Sequence, residues 1–292
     1  MMTSLRGYAD FLAIQRGLML FMITLGGAFL ISGSNSLLSA LHLAFIVFCF
    51  WCFSDAINNI YDKELDSISD PKRAEFTEKL GKKGYIITWL FAVLVFSLSA
   101  LTLNWYVFAV ISVGMLLGFI YSVPPIRLRT TIVKPLVNFV FGGVAIFISA
   151  AYFGVLSWNV LVLTLLFGVV TSVNSIWGDL ADYQSDKNSG AHTLPVILGF
   201  RKGLFLTVIL GCTLIPIMAY IGLVYSVFFV YYLILAMIAS YMLIKVFLKR
   251  KVLSKNKENT YEQISLGTLL TKDFVKITLI FSLTFMICSI IR

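Results

Sequence analysis

The sequence predicts an all-α membrane protein: nine transmembrane helices in a bundle around a central cavity that opens to the cytoplasmic side. Three observations predict it. The 292 residues are 59% hydrophobic and only 13% charged, with a mean hydropathy of +0.93, against about 25% charged in an ordinary soluble domain. Apolar windows long enough to cross the hydrocarbon core, roughly 20 residues, recur along the whole chain. The charged residues are confined to alternate connectors between those windows. Disorder is excluded by the apolar content, a collagen-like chain by the aperiodic glycines, and a disulfide-stapled module by having only four cysteines. The formal charge of +9 maps to loops on one side of the predicted fold rather than to a basic groove, so no nucleic-acid partner is expected.

Taken in order, the windows run near 14–33, 38–60, 85–103, 105–123, 132–156, 158–180, 203–224, 226–248 and 274–291. No small-residue cleavage site follows the first, which reads as a retained helix rather than a signal peptide. The connectors Gly33 to Leu38, Leu103 to Trp105, Leu156 to Trp158 and Leu223 to Ser226 hold no Lys or Arg. The others hold nearly all of them: Arg6 and Arg16 at the first span, then Lys63 to Lys83, Arg127 to Lys134, Lys187 to Lys202 and Lys245 to Lys276. The positive-inside rule therefore puts the N terminus and these loops in the cytoplasm and the C terminus, with Arg292, on the opposite side. In the last loop, Lys245, Lys249, Arg250, Lys251, Lys255 and Lys257 read as a solvated, topology-setting cluster.

All fourteen acidic residues lie on that same side, which is where the chemistry is expected. Between the second and third spans, Asn58, Asp62 and Asp66 recur at i, i+4 and i+8 and share one helical face if the span continues. Between the sixth and seventh, Asp179, Asp182 and Asp186 form a second stripe. Asp62 to Asp182 and Asp66 to Asp186 are both 120 residues apart, which suggests a duplicated helical unit, with acidic motifs at 58–66 and 179–186, inside a single domain spanning residues 1–292. Stacked carboxylates repel unless neutralised, and a hard divalent cation with oxygen ligands is the usual solution. Mg2+ keeps waters and shares its sphere with phosphates, so two such stripes flanking a cavity suggest a diphosphate clamped by metal. A third element, Tyr121-Ser122-Val123-Pro124-Pro125, ends the fourth span in a rigid turn and would present Tyr121, Arg127 and Arg129 to an anion. Lys134 and Asn138 follow on the same side.

These stretches resemble the UbiA superfamily of intramembrane prenyltransferases over nearly the whole chain. Asn58, Asp62 and Asp66 match its first motif, Asp179, Asp182 and Asp186 its second, and Tyr121 to Pro125 its tyrosine and proline turn. The run from Lys187 through Gly190, Thr193, Leu194 and Pro195 is similar to its Gly-x-x-Thr-Leu-Pro stretch. Two positions depart: Asn59 replaces the more usual Asp, and Lys72-Arg73 is followed by Ala74 where many members have Arg-Pro. The second motif and its tail look more like the branch of chlorophyll synthase and the homogentisate and geranylgeranylglyceryl phosphate prenyltransferases than the 4-hydroxybenzoate branch.

The resemblance implies Mg2+-dependent transfer of an isoprenyl group from an allylic prenyl diphosphate to an aromatic or lipid acceptor within the membrane. It places metal on Asn58, Asp62, Asp66, Asp179, Asp182 and Asp186, with Asp62, Asp179 and Asp182 as the catalytic carboxylates. Asn58, Lys72, Arg73, Tyr121, Arg127, Arg129, Lys134 and Lys187 would meet the diphosphate. Membrane lipids are the remaining expected partner. Two rivals are a terpene cyclase of the same superfamily, in which an internal alkene is the nucleophile, and a cation transporter. The second is disfavoured because the outer half of the spans is nearly free of ionisable side chains. Of the remaining features, Cys49 and Cys52 read as packing residues in an apolar helix, His42 as structural, and Gly26-Gly27 and Gly142-Gly143 as close-packing points between helices.

Overall fold

In the computed structural model of the protein, every regular element among the described residues is helical. The structure describes residues 4–33, 36–254 and 260–292, with the side chains of residues 4, 68, 69, 242, 243, 245–254 and 260–274 outside the description. The side chains of the expected basic cluster from Lys245 to Lys257 thus lie outside the description.

The helices are α1 (Ser4–Phe11), α2 (Ile14–Ser32), α3 (Leu37–Tyr61), α4 (Lys63–Ser69), α5 (Pro71–Leu80), α6 (Lys82–Leu101) and α7 (Trp105–Ser122). After a 3-10 turn at Leu128–Thr130 follow α8 (Lys134–Phe153), α9 (Trp158–Ala181), α10 (Tyr183–Asn188), α11 (Leu194–Leu198), α12 (Phe200–Val224), α13 (Val230–Ser254) and α14 (Thr260–Ile290). Seven of them, α2, α3, α6, α7, α8, α9 and α12, are long and apolar enough to cross a membrane. The eighth and ninth expected spans fall on α13 and α14, whose described apolar stretches, Val230–Tyr241 and Val275–Ile290, are shorter.

Two of the connectors without Lys or Arg work through capping. Asn104 Oδ1 accepts the Tyr106 and Val107 amides (2.9 and 3.2 Å) to start α7, and Ser157 Oγ accepts that of Val160 (3.3 Å) to start α9. Helix packing then relies on the expected glycines. A Cβ on Gly142 would run into the Phe167 carbonyl and the Thr171 hydroxyl, so α8 and α9 touch backbone to backbone there. Gly26 gives the same room to Phe285 of α14, and Gly27 to Ile146 of α8. The core on this frame includes Phe50, Phe141, Ile146, Phe167 and Phe285. On α6, by contrast, Ile86, Trp89, Leu90 and Val93 are each more than half exposed at helical spacing, the outward face of a helix whose solvent is lipid. Cys49 and Cys52 are buried free thiols, and His42 is tied by Nε2 to the Leu98 carbonyl at 2.9 Å, in keeping with structural roles for all three.

The acidic stripes lie where two of these helices break. Asp62 closes α3 and opens α4, and Asp182 closes α9 and opens α10. The breaks are slight. Asp62 N–H still donates to Asn58 O and Asp66 N–H to Asp62 O, both at 2.8 Å, and Asp182 and Asp186 repeat the pattern onto Gly178 O and Asp182 O at 3.1 and 2.8 Å. The i to i−4 ladder therefore carries each stripe across its break on one face. Asp70 then starts α5, its Oδ1 accepting the Arg73 amide at 3.3 Å ahead of Pro71 in the first turn, which fixes Arg73 beside Asp66.

Candidate active site

Residues of α3, α8 and α9, with Arg16, Asp66, Arg73, Tyr121 and Arg129 from neighbouring elements, line a polar cavity of about 120 Å3. Its walls carry four cations, Arg16, Arg73, Arg129 and Lys134, against three carboxylates, Asp55, Asp66 and Asp182. Asn58, Tyr121, Asn138, Asn174 and Ser175 supply neutral polar groups. Its aromatic side centres on Phe141, edge-on to Trp51 and Tyr121 with centroids at 6.2 and 5.9 Å. Polar groups that bind charge and π-faces that tolerate a cation thus share one enclosure.

The buried carboxylates are neutralised in specific pairs. Asp62, fully buried, receives Arg127 Nη2 at 2.7 Å and pairs with Arg129 on its other oxygen. Arg73 reaches Asp66 in a fork, Nη2 to Oδ1 at 2.8 Å and Nε to Oδ2 at 3.1 Å. Lys134 Nζ is bonded to Asp179 Oδ1, while Asp179 Oδ2 is buried with no hydrogen-bond partner. Asp186 is buried against the Thr193 hydroxyl at 3.2 Å. Burial pushes the Asp66 carboxyl up to about 6, against the opposing charge of Arg73, and raises that of Asp186 against Lys134. Asp182 makes no ion pair among the described residues. Asn138 is the neutral hub: its Nδ2 donates to Lys134 O at 3.0 Å, to Ser175 Oγ at 3.1 Å and toward Tyr121 Oη at 3.5 Å.

Of the expected site residues, Asn58, Asp66, Arg73, Tyr121, Arg129, Lys134 and Asp182 line the cavity. Asp62 and Asp179 stand behind it, held by the cations that line it. Arg127, at φ 42° in the turn after Pro125, lies outside the cavity lining and donates from Nη2 to Asp62 Oδ1 at 2.7 Å and to Tyr61 O at 3.2 Å. Two expected ligands lie elsewhere. Lys72 lines a separate, wider cavity of about 500 Å3 beyond Arg73 and Arg16, and Lys187 is exposed over the Tyr183 ring, 5.8 Å from its centroid. Asn59 faces away from the cavity and donates from Nδ2 to Phe11 O at 2.8 Å, tying α1 to α3. An Asp there could not donate that bond, which accounts for the departure at this position.

Arg16, Asp55, Asn174 and Ser175 were not expected in the site. Three of them obey the spacing of the stripes: the cavity residues Ser54, Asp55 and Asn58 of α3 stand 120 residues before the cavity residues Asn174, Ser175 and Gly178 of α9.

The donor set suits a hard cation, being all oxygen, with Asp179 Oδ2 unsatisfied and Asp182 unpaired. Among the described residues, no three carboxylates converge tightly enough to hold an ion by themselves.

Comparison with known proteins agrees. Residues 19–262 match the model of the UbiA prenyltransferase family. Chloroplastic chlorophyll synthase of Oryza sativa subsp. japonica is 28% identical over 172 residues, 55% of this chain and 45% of that protein, so the chain matches under half the length of this plant relative. Digeranylgeranylglyceryl phosphate synthase of Haloquadratum walsbyi is 26% identical over 236 residues, covering 80% of this chain and 81% of that one. A UbiA homolog from Archaeoglobus fulgidus, solved bound to GPP and Mg2+, superposes with a TM-score of 0.65 at 19% identity, over 93% of this chain and 98% of that chain, a likeness of fold. With five-sixths of its length matched by the family model, the chain belongs to the UbiA prenyltransferase family.

Proposed function

We propose that the protein transfers an isoprenyl group from an allylic prenyl diphosphate to an aromatic or lipid acceptor inside the membrane, releasing diphosphate. The observation that carries this reading is the polar cavity itself, in which two carboxylate stripes and a set of forked or buried cations face aromatic walls. Arg73, Arg129 and Lys134 bind the diphosphate, with Asn58 and the Tyr121 hydroxyl as neutral donors and Arg127 at the outer rim. Each of these cations is parked on a carboxylate, and a diphosphate offers oxygens in exchange.

Asp62, Asp66, Asp179, Asp182 and Asp186, with Asn58, are the residues that would hold Mg2+. When bound, the metal withdraws charge from the leaving oxygens. The chain's own groups orient the diphosphate against the two stripes and keep water from the allylic carbon. Trp51, Tyr121 and Phe141 face that carbon as positive charge develops.

The membrane frame follows from the same reading. α13 and α14 complete nine crossings, and the cavity opens to the cytoplasm with the N terminus, while the C terminus lies opposite.

Diphosphate release by the purified protein in nanodiscs tests this, with geranyl, farnesyl or geranylgeranyl diphosphate, with and without Mg2+, across aromatic and glycerol-phosphate acceptors. Metal-dependent release that rises with one acceptor is expected. Release indifferent to every acceptor would point to cyclisation or hydrolysis, and no release from folded protein would overturn the reading.

A further inference from the structure

We propose that Asp55 receives the acceptor, and that the acceptor's reacting atom is a protic one, a hydroxyl or an amine, whose hydrogen Asp55 accepts. The inference rests on the prenyl-transfer reading above. Asp55 lies on α3 two turns before Asp62, about 10 Å deeper along the helix axis, and lines the same cavity. Unlike Asp62, Asp66 and Asp179, it has no cation at hydrogen-bond distance, its ion pair with Arg16 being a loose one. Arg16 approaches no nearer than 4.0 Å, and Asp55 Oδ2 is buried without a hydrogen-bond partner.

The spacing of the two stripes sets Asp55 apart. Its counterpart 120 residues on is Ser175, a neutral side chain already engaged by Asn138 Nδ2 at 3.1 Å. The repeated pattern therefore asks for no carboxylate at this level, and one half of the cavity carries an extra negative charge with an open oxygen. Such a group in a water-poor enclosure attracts a donor strongly. Trp51 lies against its carboxyl and packs on Phe141, which lines the same cavity, so the donor meets the apolar part of the prenyl substrate rather than its diphosphate. An alkene has no hydrogen to donate, which separates this assignment from a cyclase.

The step balances as follows. The carbon to oxygen bond of the prenyl diphosphate breaks, its electron pair leaving with the diphosphate. A lone pair of the acceptor oxygen or nitrogen forms the new bond to carbon. The O–H or N–H pair stays on the heteroatom, and the proton passes to Asp55 Oδ2 and on to the released diphosphate.

Positional isotope exchange separates ionisation from capture. The full chain in nanodiscs is given Mg2+ and geranylgeranyl diphosphate labelled with oxygen-18 at the bridging position, with glycerol and water as protic probes. Scrambling of the label reports bond breaking, and glyceryl ether or prenyl alcohol reports capture. Asp55→Asn, and Asp55→Ser as a second uncharged variant, are expected to keep scrambling within about threefold of wild type while capture falls about 100-fold. Capture that stays within about threefold, or that falls in parallel with scrambling, overturns the assignment. Wild-type protein that scrambles the label yet captures neither probe also overturns it. Absence of scrambling in the wild type fails the prenyl-transfer reading itself, a separate result.

Discussion

Asp62 and Asp182 hold the same backbone state 120 residues apart: φ −99° and ψ 4° for the one, φ −90° and ψ 5° for the other, each the single residue between a membrane-length helix and a short one. The two breaks meet. Ser185 Oγ donates to Leu65 O at 3.2 Å, a pair that is itself 120 residues apart, so α4 and α10 touch at matching positions. At each break the chain passes from a membrane-length helix to a short one while the backbone ladder keeps its phase. Equivalence of backbone has not brought equivalence of charge: Asp62 is gripped by two arginines and Asp182 by none.

Asn59→Asp restores the acid that is usual at this position in the family, and the structure predicts that it does harm. Asn59 is 2% exposed and spends its amide on Phe11 O. A carboxylate there faces a carbonyl with no donor between them, which costs about 3 kcal/mol. Thermal unfolding in detergent should show the loss, and Mg2+ affinity should not improve. A tighter metal site with unchanged stability would mean that position 59 turns into the cavity after all.

How far the site could be read from the sequence follows from its periodicity. Asn58, Asp66 and Asp182 were legible because polar residues at i, i+4 and i+8 in the first stripe, and carboxylates at i, i+3 and i+7 in the second, fall on one face of a helix. Ser54, Asp55, Asn174 and Ser175 obey the same face and the same offset, but small polar residues inside an apolar run do not announce themselves. Carrying the spacing of 120 one turn inward would have found them. Arg16 was counted as a topology signal, and nothing local links it to Asp55, 39 residues away. Lys72 and Lys187 lie outside the polar cavity, a basic residue beside a motif being as free to sit on the outer face of a short helix.

Metal binding should weaken in mild acid. Burial lifts the Asp66 carboxyl from its ordinary 3.8 to about 6 despite Arg73, so the metal-free folded chain holds a proton there that the unfolded chain has already lost. That group's contribution to stability therefore falls as pH rises from about 4 to about 6, while its capacity to bind a cation grows. Mg2+ must displace the proton. Calorimetric titration should show apparent affinity falling about tenfold between pH 7 and pH 5, and Asp66→Asn should remove most of that dependence. A flat profile in the wild type would count against Asp66 as a ligand.

Gly142→Ala tests the α8–α9 contact that sets the cavity's far wall. Its Cβ would be driven against the Phe167 carbonyl and the Thr171 hydroxyl, which itself donates to Asn138 O at 2.6 Å. Overpacking of this kind costs about 1–3 kcal/mol, and because Asn138 anchors Lys134 and Ser175, turnover should drop with stability. Gly143→Ala, one residue on, meets only the Thr164 methyl at 3.4 Å and should be close to neutral. Equal melting temperatures for the two variants would contradict the packing described here.

The unequal partners of Asp62 and Asp182 give the sharpest contrast. Asp62→Asn strands Arg129, 6% exposed, and half-buried Arg127 with no counter-charge, so it should cost about 3 kcal/mol of stability as well as activity. Asp182→Asn breaks no ion pair among the described residues and should unfold at the wild-type temperature. Yet Asp182 is the cavity carboxylate left free for metal, so on the proposed function its loss should lower kcat about 1,000-fold, as removal of a group acting in the transition state does. Melting curves and metal-dependent diphosphate release, measured side by side, check both halves. If Asp182→Asn instead melted early with activity intact, the free carboxylate would be a packing element, and the metal would have to be sought on the first stripe alone.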